Sequence, residues 1–324
     1  MWHMRISIRG SATVKRPEAF TDGRARGGNR ADGVIASPTR PIAAYGAVVR
    51  SFRRSPGAMI GSLLLPLIMA TALGGTWIAP QSPSAVQVED RLLPPLTRKQ
   101  GIMHWFGTDP LGRDILSRLV IGARISLLVG FTAVVIGGTL GTVIGLVGGY
   151  TGGPLDRLMM RIGDMQLAFP FILLALAVMA VLGPGLRNII GVLGISSWIT
   201  YARVVRAEVL SIKEREFVLA ARALSAPLPR LLVTHVLTNV VGTIIVLATF
   251  SVASTILAEA GLSFLGLGVG AATPTWGAML SDARDYMTDG WWLTAFPGFA
   301  ILFTVLAVNL IGDWTRDYLD PRLR

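Results

Sequence analysis

The chain of 324 residues is strongly apolar: 52% of its residues are hydrophobic, 15% are charged and the mean hydropathy is +0.58. Because soluble domains carry about 25% charged residues, this composition excludes an ordinary soluble domain and predicts a protein that folds in lipid. The absence of cysteine excludes disulfides and thiolate chemistry, and the net charge of +11 lacks the aromatic and basic platform of a nucleic-acid binder.

The first 45 residues are rich in Gly, Arg and Ala and show no apolar period, which predicts a basic, disordered segment. Residues 1–57 hold eleven Lys or Arg against Glu18, Asp22 and Asp32. Such charge is typical of the cytoplasmic flank of a polytopic membrane protein. No early apolar core follows the first basic residues, so we expect the first span to act as an uncleaved anchor.

Six apolar stretches approach the roughly 20 residues that a helix needs to cross the hydrocarbon core. They lie at 58–78, 125–150, 165–182, 189–209, 236–258 and 293–312. We expect the fourth span to leave the bilayer near Tyr201, because Arg203 and Arg206 follow. The sequence thus predicts an all-α polytopic membrane protein with six transmembrane helices. It divides into a first helix with its outer loop at 46–121 and a five-helix core at 122–324.

The distribution of Lys and Arg predicts the orientation of these spans. Segment 203–235 carries six Lys or Arg and is expected in the cytoplasm, whereas 261–292 contains only Arg284 and is expected outside. The first outer loop is less clear, since it contains Arg91, Arg98, Lys99, Arg113 and Arg118. Six spans then place both termini in the cytoplasm.

The second span repeats a glycine at every fourth position, at Gly137, Gly141, Gly145 and Gly149. Glycines on one face of a helix let two backbones approach closely. This pattern predicts a packing face, and two partners fit it: another helix of the same chain or a second membrane subunit.

Counting the fourth span only as far as Tyr201, the predicted spans contain no Asp, Glu, Lys, Arg or His. Glu259 and Asp313 lie just beyond the ends of the fifth and sixth spans. A proton-coupled carrier needs buried ionisable relays, and an intramembrane hydrolase needs a general base or a metal ligand. The sequence therefore disfavours both, while sodium coupling through backbone carbonyls stays open.

The chain also lacks a phosphate-binding loop, because none of its three lysines, Lys15, Lys99 and Lys213, follows a glycine. The three histidines are too scattered to predict a metal site. We therefore expect no catalytic, cofactor-binding or metal-binding residue in this chain, and energy for uphill transport would come through a partner.

A charged segment at 213–239 separates two of the spans. Ser211 and Glu214 match a capping box, which predicts a helix beginning near Ile212, and Pro227 and Pro229 would end it. The helix is thus expected at 212–226. One apolar stripe follows helical spacing, at Phe217, Ala221, Leu224 and Leu228. Such a face suits a groove of another protein or the surface of the lipid.

The same segment resembles the EAA motif of membrane subunits in bacterial ABC importers, which forms the coupling helix that docks on the ATP-hydrolysing subunit. The matching residues are Glu216, Ala220, Ala221, His235 and Asn239. Ser225 stands where a glycine is usual, and Thr238 stands where a proline is usual. The resemblance implies an ATPase-coupling site formed by Glu216, Phe217, Ala220, Ala221, Leu224 and Ser225.

Further segments resemble the peptide-importer C-type permeases, in the same order along the chain. They read "FGTDPLGRDILSR" at 106–118, "GGYTGGPLDRLMMRIGDMQLAFPFILLAL", "EAGLSFLGLGV", "PTWGAML" and "GDWTRDYLDPRLR". In the first of them, Asp109 and Pro110 also suit the start of a helix. The likeness covers about residues 50–324 and leaves the basic extension outside.

This resemblance implies a type I ABC importer permease fold in a bacterial inner membrane. The chain would form half of the translocation pathway for di- or oligopeptides, beside a second homologous permease subunit. Two ATP-binding subunits would carry ATP and Mg, with none bound by this chain, and an extracytoplasmic solute-binding protein would deliver the cargo. No substrate-binding residue can be assigned. The alternative function is a self-sufficient secondary carrier or channel, which would transport when reconstituted alone.

The predicted outer loop at 261–292 combines aromatic and acidic residues: Trp276, Trp291 and Trp292 with Asp282, Asp285 and Asp289. An aromatic belt at the membrane interface accounts for the tryptophans. A contact surface for the solute-binding protein accounts for them equally, and the sequence leaves both open.

Overall fold

The computed structural model describes residues 48, 50–99, 101–270 and 273–319. The segment at 1–45 that was predicted to be disordered lies outside these residues. In chain order the named helices are α1 (Pro56–Leu73), α2 (Gly75–Ile78), α3 (Ile115–Thr151), α4 (Gly153–Ala168), α5 (Phe171–Leu182), α6 (Leu186–Ile212), α7 (Glu216–Ala223), α8 (Leu228–Arg230), α9 (Thr238–Phe264), α10 (Trp276–Ala283) and α11 (Trp292–Leu319).

Short elements complete the described structure. Strands β1 (Thr97–Lys99) and β2 (Ile102–His104) form an antiparallel hairpin in which Thr97 pairs with His104. Single helical turns lie at Val88–Asp90 and Arg284–Tyr286, and a wider π-helical segment at Leu231–Leu237 joins α8 to α9. The protein is therefore mainly helical, as the sequence predicts.

Five helical segments in the described residues are long and apolar enough to cross a membrane: α1, α3, α6, the continuous segment Leu228–Phe264, and α11. At 1.5 Å per residue, the 37 residues of α3 extend about 56 Å. This length exceeds the roughly 30 Å hydrocarbon core of a bilayer, so α3 projects beyond it.

The predicted third span is not one straight helix. It is divided between α4 and α5, which meet at 93°. The cause is Pro170, which donates no backbone hydrogen bond and holds the preceding Phe169 in an extended conformation. Gln166, just before the bend, is fixed to α6 because its Nε2 donates to the carbonyl oxygen of Ser196 at 2.7 Å and its Oε1 accepts from Trp198 Nε1 at 2.8 Å. The described residues thus contain six candidate crossings only if this bent pair counts as one.

The four glycines of α3 lie against α6 of the same chain. A Cβ at Gly141 would overlap the carbonyl oxygen of Trp198, and one at Gly145 would lie 2.7 Å from that of Ala202. At the end of α3, a Cβ at Gly149 would lie 3.0 Å from Val209 Cβ. The backbones of α3 and α6 therefore pack in direct contact along most of α6, and α6 buries this glycine face.

The fourth span stays helical past Tyr201, which is fully buried in the bundle, and its exit from the bilayer near Tyr201 stays a prediction. Helix α6 continues to Ile212, and α4 places a carboxylate beside each of the two arginines that follow Tyr201. Arg206 pairs with Asp156, and Arg203 pairs with Asp164. The charges of the two arginines are compensated by carboxylates of a neighbouring helix. Local hydropathy cannot predict such contacts, because they form only in the tertiary structure.

Glu259, predicted to lie just beyond the fifth span, is part of the packed bundle. Helix α9 continues past the predicted end of the fifth span to Phe264, so Glu259 lies inside it, fully buried. Its Oε2 accepts a hydrogen bond from Ser126 of α3 at 3.2 Å, and its Oε1 accepts one from Ser263 at 2.7 Å. These hydroxyls, together with the nearby Thr275, make burial of the carboxyl group possible.

At the end of the bundle opposite α7, residues 79–114 fold over the start of α3. This helix begins after Asp114, whose carboxylate accepts from the backbone of Ser117 at 2.8 Å, and not after Asp109 as predicted. Asp109 instead accepts from the backbone of Leu111 and Arg113 and pairs with the side chains of Arg113 and Arg118. The Asp109 carboxylate is therefore engaged by two arginines, and Asp114 caps the helix in its place.

Two of the three tryptophans of the predicted outer loop belong to the core of this end. Trp276 and Trp292 are buried, and their indole nitrogens donate to the carbonyl oxygens of Leu119 at 3.0 Å and Thr108 at 3.2 Å. Only Trp291 is largely exposed. For Trp276 and Trp292, therefore, neither a membrane belt nor a surface contact applies.

Candidate coupling site

Helix α7 is shorter than the predicted helix at 212–226. Its first residue is Glu216, and Arg215 precedes it in an extended conformation. Ser211 and Glu214 do not form a capping box, because α6 continues through Ser211 to Ile212 and Lys213 still donates its backbone N–H to Val209. Packing of Ile212 in the core prolongs α6 beyond the local signal. The corner between the two helices is thus Lys213, Glu214 and Arg215.

One buried side chain anchors α7 to the bundle. Val218 is fully buried and packs in a cluster with Val209 and Ile212 of α6 and with Val236 and Val240 before and within α9. Val218 was not predicted from the sequence, because Phe217, Val218 and Leu219 are adjacent apolar residues and periodicity alone does not say which one faces inward. The anchor attaches α7 to the ends of two long helices at once.

The residues expected to couple to an ATPase lie on the outward side of α7 and its following turn. Phe217 is 41% exposed and Leu224 is 84% exposed, and Glu216, Ala220 and Ser225 are also exposed. Ala221 is half-buried. The structure therefore brings all six together in one short element, with two large apolar side chains projecting beside small ones. A helix face of this kind suits insertion into a groove of another protein.

Helix α7 ends in a Schellman motif, in which Ser225 takes the left-handed position usually occupied by glycine. Its φ is 57°, and the backbone bonds are those of the motif: Ser225 N–H to Arg222 at 2.9 Å and Ala226 N–H to Ala221 at 3.2 Å. The turn geometry associated with the usual glycine is thus present, but a residue with a side chain adopts it at a cost of about 1–2 kcal/mol.

The return from α7 to α9 passes through the π-helical segment Leu231–Leu237. Thr238, at the position of the usual proline, donates its hydroxyl to the carbonyl oxygen of Thr234 at 2.9 Å, and Asn239 Nδ2 donates to that of His235 at 2.6 Å. These side chains satisfy carbonyls at the change from wide to regular turns. His235 and Asn239 therefore shape the helix entry, and neither projects from α7.

A cavity of about 570 Å³ lies beside this corner, lined by Arg215 and by residues of α6, α9 and α11 that include Glu208, Asn239 and Arg316. Glu208 accepts a hydrogen bond from Thr243 at 2.5 Å. Among the residues that the structure describes, no group of three or more His, Asp or Glu side chains is placed to hold a metal ion. The outward features of this end are thus the α7 face and the cavity next to it.

These features define the class: a multi-pass helical membrane protein with a short helix that is anchored on one side and exposed on the other. The family model described as "binding-protein-dependent transport system inner membrane component" matches residues 141–324, and the one described as "N-terminal TM domain of oligopeptide transport permease C" matches residues 45–95. The chain belongs to this family and is the transmembrane permease component of an ABC importer of the dipeptide/oligopeptide type.

Curated relatives are similar over most of the chain. The "Di/tripeptide transport system permease protein DppC" of Pseudomonas aeruginosa (strain UCBPP-PA14) is 46% identical over 277 residues, 85% of this chain and 91% of the relative. The "Glutathione transport system permease protein GsiD" of Escherichia coli O157:H7 and of Shigella boydii is 45% identical over 275 residues, 85% of this chain and 89% of each relative. The family consists of multi-pass inner membrane permeases that are not themselves enzymes and that work with ATPase and binding-protein components.

Proposed function

We propose that the outward face of α7 docks on an ATP-binding subunit and that this chain forms half of a translocation pathway. The complex would hold a second homologous permease subunit, two ATP-binding subunits and one extracytoplasmic solute-binding protein. ATP and Mg are bound by the partner subunits and this chain binds no cofactor. The observation that carries the proposal is the construction of α7: anchored through Val218 and apolar on its exposed side.

The proposed orientation places α7 and both termini in the cytoplasm. Lys213, Arg215, Arg222 and Arg230 surround α7, in agreement with the cytoplasmic bias of basic residues. The basic residues that made the first outer loop unclear are largely ion-paired: Lys99 with Asp90 at 2.7 Å, and Arg113 and Arg118 with Asp109 and Asp282. Because carboxylates of the folded segment compensate these basic residues, they do not argue against placing this loop outside.

The proposed cargo is a short peptide. The names of two relatives refer to di- and tripeptides and to glutathione, which is itself a short peptide. Selection among such peptides is assigned to the solute-binding protein, because no residue of this chain is identified as a substrate ligand. A labelled di- or tripeptide is accordingly the first cargo to test.

The docking role is tested with Ala220→Arg, which places a charge on the exposed face without disturbing the buried anchor. The assembled complex in vesicles should lose ATPase stimulation by loaded binding protein and should lose peptide uptake, because a groove that accepts alanine excludes a guanidinium. Ala207→Arg is the matched control, since Ala207 is an exposed alanine of α6 outside the α7 face. Unchanged stimulation and uptake in Ala220→Arg would refute docking through this face.

The alternative, a self-sufficient carrier or channel, is tested with the same material. Vesicles that contain this chain alone should not take up labelled peptide, and uptake should appear only with both permeases, the ATP-binding subunits, the binding protein and ATP. Accumulation of peptide by the chain alone would refute the proposed function.

A further inference from the structure

An ion pair with two parallel bonds joins α4 to α6 near the corner that leads into α7. Arg206 Nε lies 2.6 Å from Asp156 Oδ1, and Arg206 Nη2 lies 2.7 Å from Asp156 Oδ2. Asp156 is buried, and the guanidinium covers it from the more exposed side. A two-bond contact between a planar guanidinium and a carboxylate fixes the angle between the groups as well as their distance.

The same carboxylate rests on α3. A Cβ at Gly148 would lie 2.8 Å from Asp156 Oδ1, so only a glycine leaves room for this approach. One residue further along α3, the carbonyl oxygen of Gly149 accepts from Lys213 Nζ at 3.4 Å. Three helices and the first residue of the α6–α7 corner therefore meet around Asp156.

This meeting point lies in the path between α7 and the bent pair α4–α5. Val218 attaches α7 to Val209, which is three residues beyond Arg206 on α6. Helix α6 is in direct backbone contact with α3 through the glycines, and α4 continues through the Pro170 bend into α5. Displacement of α7 would thus be delivered first to α6. It would reach α4 through the Asp156–Arg206 contact at the α7 end and through the bonds of Gln166 to Ser196 and Trp198 near the bend.

We propose that Asp156 and Arg206 are positioning residues that hold α3, α4 and α6 as one rigid body, so that movement imposed on α7 is transmitted to the bent pair. This inference rests on the proposed function of α7. Without the ion pair, the bonds of Gln166 would still hold α4 to α6 near the bend, but the start of α4 would no longer follow α6 closely. ATP hydrolysis would then be poorly coupled to transport.

The same two helices supply a matched control. Arg203 and Asp164 also pair across α6 and α4, but their side chains are 47% and 52% exposed. Exposed pairs contribute little because water competes for both charges. Arg203→Gln and Asp164→Asn thus make the same chemical changes on the same helices without touching the buried contact.

The experiment uses the complete complex in vesicles and measures peptide transported per ATP hydrolysed. Asp156→Asn and Arg206→Gln should each lower this ratio about fivefold or more, the lower end of usual coupling between sites, while the two control variants stay at the native ratio. The double variant Asp156→Asn/Arg206→Gln should lose no more than either single variant, because both remove one interaction. Losses that multiply, or equal losses in the controls, would overturn the proposal.

A second measurement does not depend on transport. Because the chain contains no cysteine, Arg161→Cys on α4 and Leu210→Cys on α6 supply a single pair of spin-label sites, both exposed. The distance between the two spin labels should stay constant between nucleotide-free and ATP-bound complexes. In the Asp156→Asn background, the distribution of this distance should broaden. A distance that changes with nucleotide in the native background would overturn the proposal.

Docking through α7 and the rigid body of α3, α4 and α6 can be refuted independently of each other. If Ala220→Arg abolishes stimulation but Asp156→Asn leaves the transport ratio and the spin-label distance unchanged, α7 docks and the rigid body is wrong. If Ala220→Arg has no effect while the spin-label distance behaves as expected, the rigid body exists and docking through α7 is wrong.

Discussion

At the scale of single residues, Ser225 stores local strain at the end of α7. With φ at 57° it supplies the left-handed turn, which glycine adopts without a Cβ conflict. Ser225→Gly should therefore stabilise the turn by about 1 kcal/mol. Hydrogen exchange of the Ala226 amide, which closes the motif on Ala221, should slow about fivefold if the turn opens locally.

The opposite substitution supplies the control for this prediction. Ser225→Val should accelerate exchange of the same amide, since a β-branched residue is least compatible with a positive φ. The amide of Val218, bonded to Arg215 at 3.0 Å at the other end of α7, should change less than that of Ala226 in both variants. Equal exchange in Ser225→Gly and the native chain would show that the turn is not strained.

The sequence predicted some residues of the coupling site on α7 and did not predict others. The motif residues Glu216, Ala220 and Ser225 could be placed because their spacing is itself the signal. Val218 could not, because its burial depends on Val209 and Val236, which approach only after folding. The ion pair between Asp156 and Arg206 could not be predicted from the sequence either, since the two residues lie 50 positions apart.

At the scale of elements, contact between α3 and α6 depends on glycines that admit no side chain. A Cβ at Gly141 would overlap the carbonyl oxygen of Trp198, whereas one at Gly191, on α6, would meet nothing within 4 Å. Alanine favours a helix over glycine by about 1 kcal/mol at either position. Replacing glycine by alanine is therefore expected to change thermal stability in opposite directions at Gly141 and Gly191.

Gly191→Ala should raise the temperature at which the purified complex loses its native fluorescence, and Gly141→Ala should lower it. The reason is that the gain in helix propensity is outweighed at Gly141 by displacement of the α6 backbone. A higher transition temperature in Gly141→Ala would mean that the two helices separate without penalty, contrary to the packing described here.

Element boundaries show where hydropathy is sufficient and where it is not. Four of the six predicted spans fall within long helices, because a run of apolar residues has few other stable states in lipid. The first, at 58–78, runs beyond α1 and across Gly74 into α2. The third was wrong as a single helix, although Pro170 carried the signal for the bend. Helices α6 and α9 extend beyond the predicted spans, and the half-buried Arg206 and the buried Glu259 are both bonded to residues distant in sequence.

At the scale of the whole molecule, the two ends of the bundle are built differently. The α7 end presents exposed apolar side chains on a short helix held by one buried valine. The opposite end is a cap fastened by charge: Asp282 of α10 lies 3.0 Å from Arg113 and 2.9 Å from Arg118, which also pair with Asp109. Asp282 thereby joins α10 to residues 79–114 and to the start of α3.

The cap predicts a selective effect of neutralising Asp282. Asp282→Asn should lower the thermal transition of the complex by a few degrees, consistent with a loss of about 1–3 kcal/mol for a charge-assisted contact to a buried arginine. The cost stays moderate because Asp109 continues to compensate both Arg113 and Arg118. Asp285→Asn is the matched control: among the described residues Asp285 is exposed and forms no ion pair. If both variants lower the transition equally, general surface charge stabilises this end and the link between α10 and α3 does not.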